Sequence, residues 1–174
     1  PRADAIGEAA AALADGIARV AADGVLRQRL AGEAAAGAGR FDVAGILLGT
    51  EGASNAGGNK VEACYGGLRA DGVTPSALPM HGSCVRIADS PDNIVGGTTV
   101  AARNVLSGCG FGVEIRGTKS TGNLVQGNYI GTNAAGTAAV GNPSIGSQSI
   151  GVNIGNASNN VIGGDTAAAR NIIS

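Results

Sequence analysis

Apolar residues recur at every second position in four short stretches, Ile46 and Leu48, Val85 and Ile87, Val113 and Ile115, and Val152 and Ile154, with the position between them free. A period of two is the mark of a strand with one buried face. The stretches start 39, 28 and 39 residues apart, so long and short units alternate. A second anchor in every unit is an Asn two residues before an apolar residue: Asn59, Asn93, Asn123 and Asn160. A third is Asn before a short apolar pair, at Asn104, Asn128 and Asn171, with Cys64 in that place in the first unit. Three short strands per unit, separated by Gly, Asn and Ser, predict a triangular coil of chain. Stacked at about 4.8 Å per layer, such coils make a parallel β-solenoid.

The repeat is also visible as identity. Residues 85–107 and 152–174 lie 67 positions apart and match at eleven of twenty-three positions. One repeat cannot bury its apolar face alone, so each coil has to stack on its neighbours. The Asn columns have a physical reason, because a side-chain amide both donates and accepts and can satisfy backbone groups left unpaired by tight turns. They are predicted to form structural ladders along the stack. Like loops should lie two layers apart, at 96–103 with 163–170 and at 68–83 with 132–149, and Arg103 and Arg170 should point the same way.

The segments NIVGGTTVAARNVLSG, GNLVQGNYIGTNAAGTAAVGN and NNVIGGDTAAARNIIS resemble the right-handed parallel β-helix repeats of large secreted or surface bacterial proteins, the broad pectate-lyase-like group. The resemblance covers about residues 45–174. It implies an all-β, right-handed parallel β-helix of four coils, and it is specific for fold rather than activity. The first coil departs from the pattern: VEACYGGLRADGVTP aligns with VQGNYIGTNAAGTAA, but Cys64 replaces the column Asn and Gly66 stands where Ile130 would, so this coil should be the least regular.

The first forty residues read differently. Ile6, Ala9, Ala10, Leu13, Ile17 and Val20 recur at helical spacing, Asp23-Gly24 interrupts, and Val25, Leu26 and Leu30 resume. Two helices are predicted, roughly 4–22 and 24–37, forming an N-terminal α-helical cap or appendage at 1–42 ahead of β-helix repeats at 43–174. A cap of this kind would block the exposed strand edges of a solenoid end. The stretch ALADGIARVAADGVLRQRLAGEAAAGAGRFD is also similar to the C-terminal tail of GT-B glycosyltransferases, which would make the chain a fragment carrying such a tail.

Composition narrows the function classes. Thirty-one Gly, two Phe and no Trp fit a chain of turns around a thin core. A formal net charge of −1 with scattered basic residues offers no footprint for nucleic acid. No apolar run of membrane-spanning length occurs, so membrane insertion through a helix is not expected. The three Cys, at Cys64, Cys84 and Cys109, have no metal-ligand spacing and no disulfide framework. Thiols are the expected state, with a single unassigned disulfide left open. Asp89 and Asp92 lie in the turn SPDN, where Asp bonds local backbone. His81 is placed in the loop SALPMHGSC without catalytic company.

No catalytic residue, cofactor or metal ligand is predicted. The outward column Leu47, Arg86, Glu114 and Asn153 should bring Arg86 beside Glu114 as a cross-strand ion pair worth roughly 0.2–1 kcal/mol. Tyr65 and Tyr129, two coils apart, could present rings to a polymer. These four, Tyr65, Tyr129, Arg86 and Glu114, are the candidate ligand contacts. The expected function is a non-catalytic structural or adhesive module of a larger secreted or cell-surface bacterial protein. The alternative is a polysaccharide-binding β-helix, or a polysaccharide-cleaving one acting as lyase or hydrolase, with a polysaccharide or cell-surface glycan as partner. Because Ser174 stops within a repeat, a segment of a longer solenoid is expected, self-associating through its open C-terminal coil.

Overall fold

The computed structural model describes residues 25–27, 44–53, 55–76, 80–140 and 150–174. It is all-β: thirteen strands fall into three sheets, and every named strand pair is parallel. The first sheet stacks β2 (Ala44–Gly49), β5 (Met80–Ala88), β8 (Cys109–Arg116) and β11 (Ile150–Gly155). The second has β1 (Val25–Arg27), β3 (Lys60–Glu62), β6 (Ile94–Gly96), β9 (Leu124–Gln126) and β12 (Val161–Ile162) in that order. The third stacks β4 (Tyr65–Gly66), β7 (Val105–Leu106), β10 (Tyr129–Ile130) and β13 (Ile172–Ile173). The chain thus visits the three sheets in turn four times, an arrangement compatible with a solenoid.

The register follows the alternation in the sequence. Ile46 pairs with Val85, Val85 with Val113 and Val113 with Val152, while Leu48, Ile87, Ile115 and Ile154 form the parallel row two residues on. The inward residues of the middle coils are fully buried and make one continuous core with Val61, Val95, Val125, Leu106 and Ile130. The first coil is in register with the second on all three sheets.

Two bonded Asn columns run along this core. Asn59, Asn93 and Asn123 each donate side-chain Nδ2 and backbone N–H to the Oδ1 of the next Asn, ending on Asn160, at 2.7–3.0 Å. In the second column Asn104 donates to Asn128 at 2.9 Å and Asn128 to Asn171 at 3.1 Å. Their remaining amide hydrogens reach the carbonyls of Val61, Val95 and Val125. Cys64, at the foot of this column, donates its backbone N–H to Asn104 Oδ1 at 3.0 Å.

The loops repeat as well. A 3-10 turn at Val100–Ala102 and another at Ala167–Ala169 are each capped by a Thr, Thr99 and Thr166, whose hydroxyl accepts the third residue's N–H at 3.2 Å. Two hairpins, closed by Leu68 with Pro75 and by Thr132 with Ala139, lie two layers apart and touch through Ala134 N–H and the Gly72 carbonyl, 2.8 Å. The four Asx residues predicted or repeated in turns, Asp89, Asp92, Asn156 and Asn159, all take left-handed φ between 46° and 56°.

Three expectations are corrected. Val25–Arg27, assigned to a helix over 24–37, is a strand that pairs Val25 with Lys60 and Leu26 with Val61. The open edge of β3 offers the segment backbone partners in register, and that pairing overrides its helical spacing. The helix over 4–22, the remainder of the second helix and the rest of the similarity to a glycosyltransferase tail lie outside the described residues. His81, placed in a loop, belongs to β5.

The third correction concerns the thiols. Cys84 and Cys109 form a disulfide with their Cα atoms 5.5 Å apart. Both are buried, as is Cys64, whose thiol donates to the Glu62 carbonyl at 3.2 Å. The bridge explains Gly66. In the later coils Gly112 and Gly151 face Ile130 and Ile173 so closely that an added Cβ would lie 2.3 and 2.5 Å from their methyl groups. Where the third strand instead has Gly66, Cys84 stands in the adjoining space, 3.0 Å from the position of a Gly66 Cβ. Sulfur and isoleucine fill the same kind of volume from opposite sides.

Candidate functional site

The outward column of the first sheet carries the most concentrated charge. Arg86 and Glu114 are direct cross-strand partners, as the alternation predicted. Glu114 is 3% exposed, and both of its carboxylate oxygens are engaged. Oε1 meets Arg116 Nε at 2.7 Å, and Oε2 accepts from Ser83 Oγ at 2.6 Å with Arg86 Nε 3.6 Å away. Arg86 turns its terminal nitrogen to Glu51, which also lies 3.9 Å from Arg116 Nη1. The guanidiniums of Arg86 and Arg116 and the carboxylates of Glu51 and Glu114 therefore close a ring in which Glu114 is the buried member. Arg86 Nε is the one buried side-chain polar atom without a hydrogen-bond partner among the described residues.

Two members of this ring, Arg116 and Glu51, and the Ser83 hydroxyl bonded to it were not identified from sequence. Arg116 follows Glu114 by two and therefore shares its face, so strict alternation would have found it. Ser83 was hidden because β5 changes phase. Ser83 bonds the outward Glu114, whereas counting back by twos from Val85 places it inward, because Cys84 and Val85 both enter the core and break the alternation. Glu51 lies in the turn after β2, and no periodicity reaches it.

Beside the ring is an open depression of about 380 Å³ lined by Glu51, Asp89, Arg116, Gly117, Gly155 and Asn156. Asp89 does not offer it a spare carboxylate. Its oxygens accept backbone N–H groups from Gly52 at 2.7 Å and Lys119 at 3.1 Å, tying three coils together. Those two bonds, first Gly52 and then Lys119, with the Lys119 ammonium adding to them, hold its carboxyl below the usual aspartate range.

Tyr65 and Tyr129 lie on the third sheet, two layers apart with Val105 between them. The structure thus brings together Arg86 and Glu114, and separately aligns the two Tyr, but keeps the pairs on different sheets. Each ring abuts a glycine of its own hairpin: an added Cβ on Gly72 would lie 3.1 Å from Tyr65 and one on Gly136 2.6 Å from Tyr129. The Arg103 guanidinium stacks 4.1 Å from the Tyr129 ring centre while its Nε donates to the Gly127 carbonyl at 3.2 Å.

Among the described residues no group of His, Cys, Asp and Glu is arranged to hold a metal ion, and no helix is long and apolar enough to cross a membrane. Chemically, the site is an ion-pair ring whose acids and bases bind one another. No protein-family model matches the chain, and no curated protein or solved structure is significantly similar to it.

Proposed function

We propose that the three sheets form a right-handed parallel β-helix and that the chain is a non-catalytic structural or adhesive module of a larger secreted or cell-surface bacterial protein. The observation that carries this reading is the unbroken bonding of the Asn columns through successive coils. Such columns fix the spacing and rotation of each coil on the next, which is what a spacer or shaft requires. Right-handedness follows from the chirality of parallel strand crossovers. The buried Cys84–Cys109 bridge favours an oxidising compartment, in keeping with secretion. Glu114 and Asp89, the two most enclosed carboxylates of the charged face, are both bonded to partners within the protein, which leaves a general acid or base unassigned.

Polysaccharide recognition is the second reading, favoured by one observation: Arg116, a member of the ring with its side chain 47% exposed, opens onto the depression. Incubating the protein with pectin, alginate and neutral glycans separates the two. The structural reading predicts neither release of reducing or unsaturated ends nor saturable retention. Turnover lost on Glu114→Ala would overturn it in favour of an enzyme, and retention lost on Arg116→Ala in favour of a glycan-binding module.

A further inference from the structure

Arg86 and Arg116 each turn two edges to two different carboxylates. Their Nε edges face Glu114, which is buried and is held in addition by the Ser83 hydroxyl at 2.6 Å. Their terminal nitrogens converge on Oε1 of Glu51, whose side chain is 56% exposed. Glu114 is therefore a fixed anchor that sets the two guanidiniums side by side, and Glu51 is a carboxylate laid across them from the solvent side. The turn that carries Glu51 is pinned through its backbone: the Gly52 N–H is held by Asp89 at 2.7 Å and the Ala53 carbonyl by the Lys119 ammonium at 3.2 Å. Only the Glu51 side chain has to move for the two guanidiniums to be uncovered.

The tether of Glu51 to its turn leaves the ring incompletely satisfied. Arg86 gives its terminal nitrogen to Glu51, and its buried Nε stays 3.6 Å from Glu114 without a hydrogen bond. A buried donor left unmet is costly. A carboxylate free of the chain is not confined to the Glu51 position and can approach so that Arg86 meets both partners. Arg116 has room to adjust as well, since its neighbours in the row along the stack are the small residues Ala88 and Gly155. Charge balance selects the ligand. Without Glu51 the group holds two guanidiniums and one carboxylate, and the one positive charge left over is neutralised by a monocarboxylate but overshot by a doubly charged oxyanion. Asp89 and Lys119, which border the same side, oppose one another in charge. The open depression of about 380 Å³ beside Arg116 accommodates the rest of a small molecule.

We propose that Arg86 and Arg116 form a binding site for a small polar molecule bearing a single carboxylate, and that Glu51 is a built-in competitor that occupies the site when no ligand is present. The inference stands on the geometry of the ring and is independent of the structural reading.

Calorimetric titration of the intact protein with gluconate, a polyhydroxy monocarboxylate, at constant ionic strength tests this. Glu51→Gln should bind gluconate one-to-one and roughly three- to tenfold more tightly than the parent, the scale of two exposed ion pairs released from competition. Asp165→Asn removes the same charge from an exposed position in a different loop and should leave the parent affinity unchanged. Adding Arg116→Lys to Glu51→Gln should weaken binding, because lysine keeps the charge but not the fork. Sorbitol should not bind, and sulfate should bind more weakly than gluconate. Nuclear magnetic resonance gives a second reading that does not depend on the arginine variant: the Nε–H signals of Arg86 and Arg116 in Glu51→Gln should shift saturably with gluconate. Unmoved signals, equal tightening by Asp165→Asn, sorbitol bound as tightly as gluconate, or affinity unaltered by Arg116→Lys in a protein that keeps its circular dichroism spectrum would overturn the proposal. Sulfate bound as tightly as gluconate would overturn the assignment of a monocarboxylate.

Discussion

Gly66 and Cys84 share one volume: a β-carbon on Gly66 would stand 3.0 Å from both Cβ and Sγ of Cys84, with Leu106 Cδ2 at 3.2 Å. Gly66→Ala should therefore destabilise the protein by roughly 1–3 kcal/mol, the usual scale of overpacking. Replacing both Cys84 and Cys109 by Ala removes a link across 25 residues and should cost roughly 3 kcal/mol. Gly66→Ala should be better tolerated in that background than in the parent, because the Cys84 sulfur it strikes is gone. Urea unfolding of the three variants measures the coupling, and simple additivity would contradict a shared volume.

The Asn columns make different demands at their middle and their end. Asn123 accepts both the backbone N–H and the amide of the buried Asn93, so Asn123→Ala leaves two buried donors without an acceptor. The expected loss is roughly 2–4 kcal/mol, at about 1–3 kcal/mol per stranded group with partial relaxation. Asn160 receives the same two bonds from Asn123 but is only partly buried, so water can replace it. Asn160→Ala should cost less than half as much in the same unfolding experiment.

Ala63 occupies the place that Gly127 holds in the third coil, and both have left-handed backbone, φ of 57° and 65°. A side chain in that region costs roughly 1–2 kcal/mol, part of which is recovered against the greater freedom of glycine when unfolded. Ala63→Gly is expected to raise stability by up to about 1 kcal/mol, read as a higher urea midpoint with unchanged slope. A lower midpoint would contradict the strain.

Much of this was legible in the chain. The rows through Val85, Val113 and Val152, the pairing of Arg86 with Glu114, the Asn columns and the doubled loop period all follow from residues that recur at fixed offsets. Ser83 and the disulfide were not legible, for one reason. Cys84 and Val85 both enter the core and break the alternation in β5, so that Cys84 joins Cys109 while Ser83 bonds the outward Glu114. The strand at Val25–Arg27 was masked by alanine-rich helical spacing, since the partner that makes it a strand, β3, lies 35 residues further on.

Acid should loosen one hairpin before the rest. The Asp71 carboxylate accepts the Thr74 hydroxyl and the backbone N–H groups of Val73 and Thr74, in that order of importance, and these hold its pKa at about 2 instead of 3.8. A depressed carboxyl stabilises the folded state above its unfolded pKa, and the contribution fades as pH falls from about 4 through about 2. The corresponding N–H groups at Thr137 and Ala138 are held by the Asn133 amide, which does not titrate there. Amide chemical shifts of Val73 and Thr74 should move between pH 4 and 2 while those of Thr137 and Ala138 stay fixed. Equal movement in both hairpins would contradict the assignment.

The claim on which the account depends is that directional Asn columns bind the coils into one stack, and amide hydrogen exchange of the intact protein measures it directly. The backbone N–H groups of Asn93, Asn123 and Asn128 should exchange only with global unfolding, at a common free energy, while the exposed turn N–H groups of Val73 and Thr74 should exchange by local opening. Fast exchange at Asn93 and Asn123, or protection at Val73 and Thr74 equal to theirs, would contradict it.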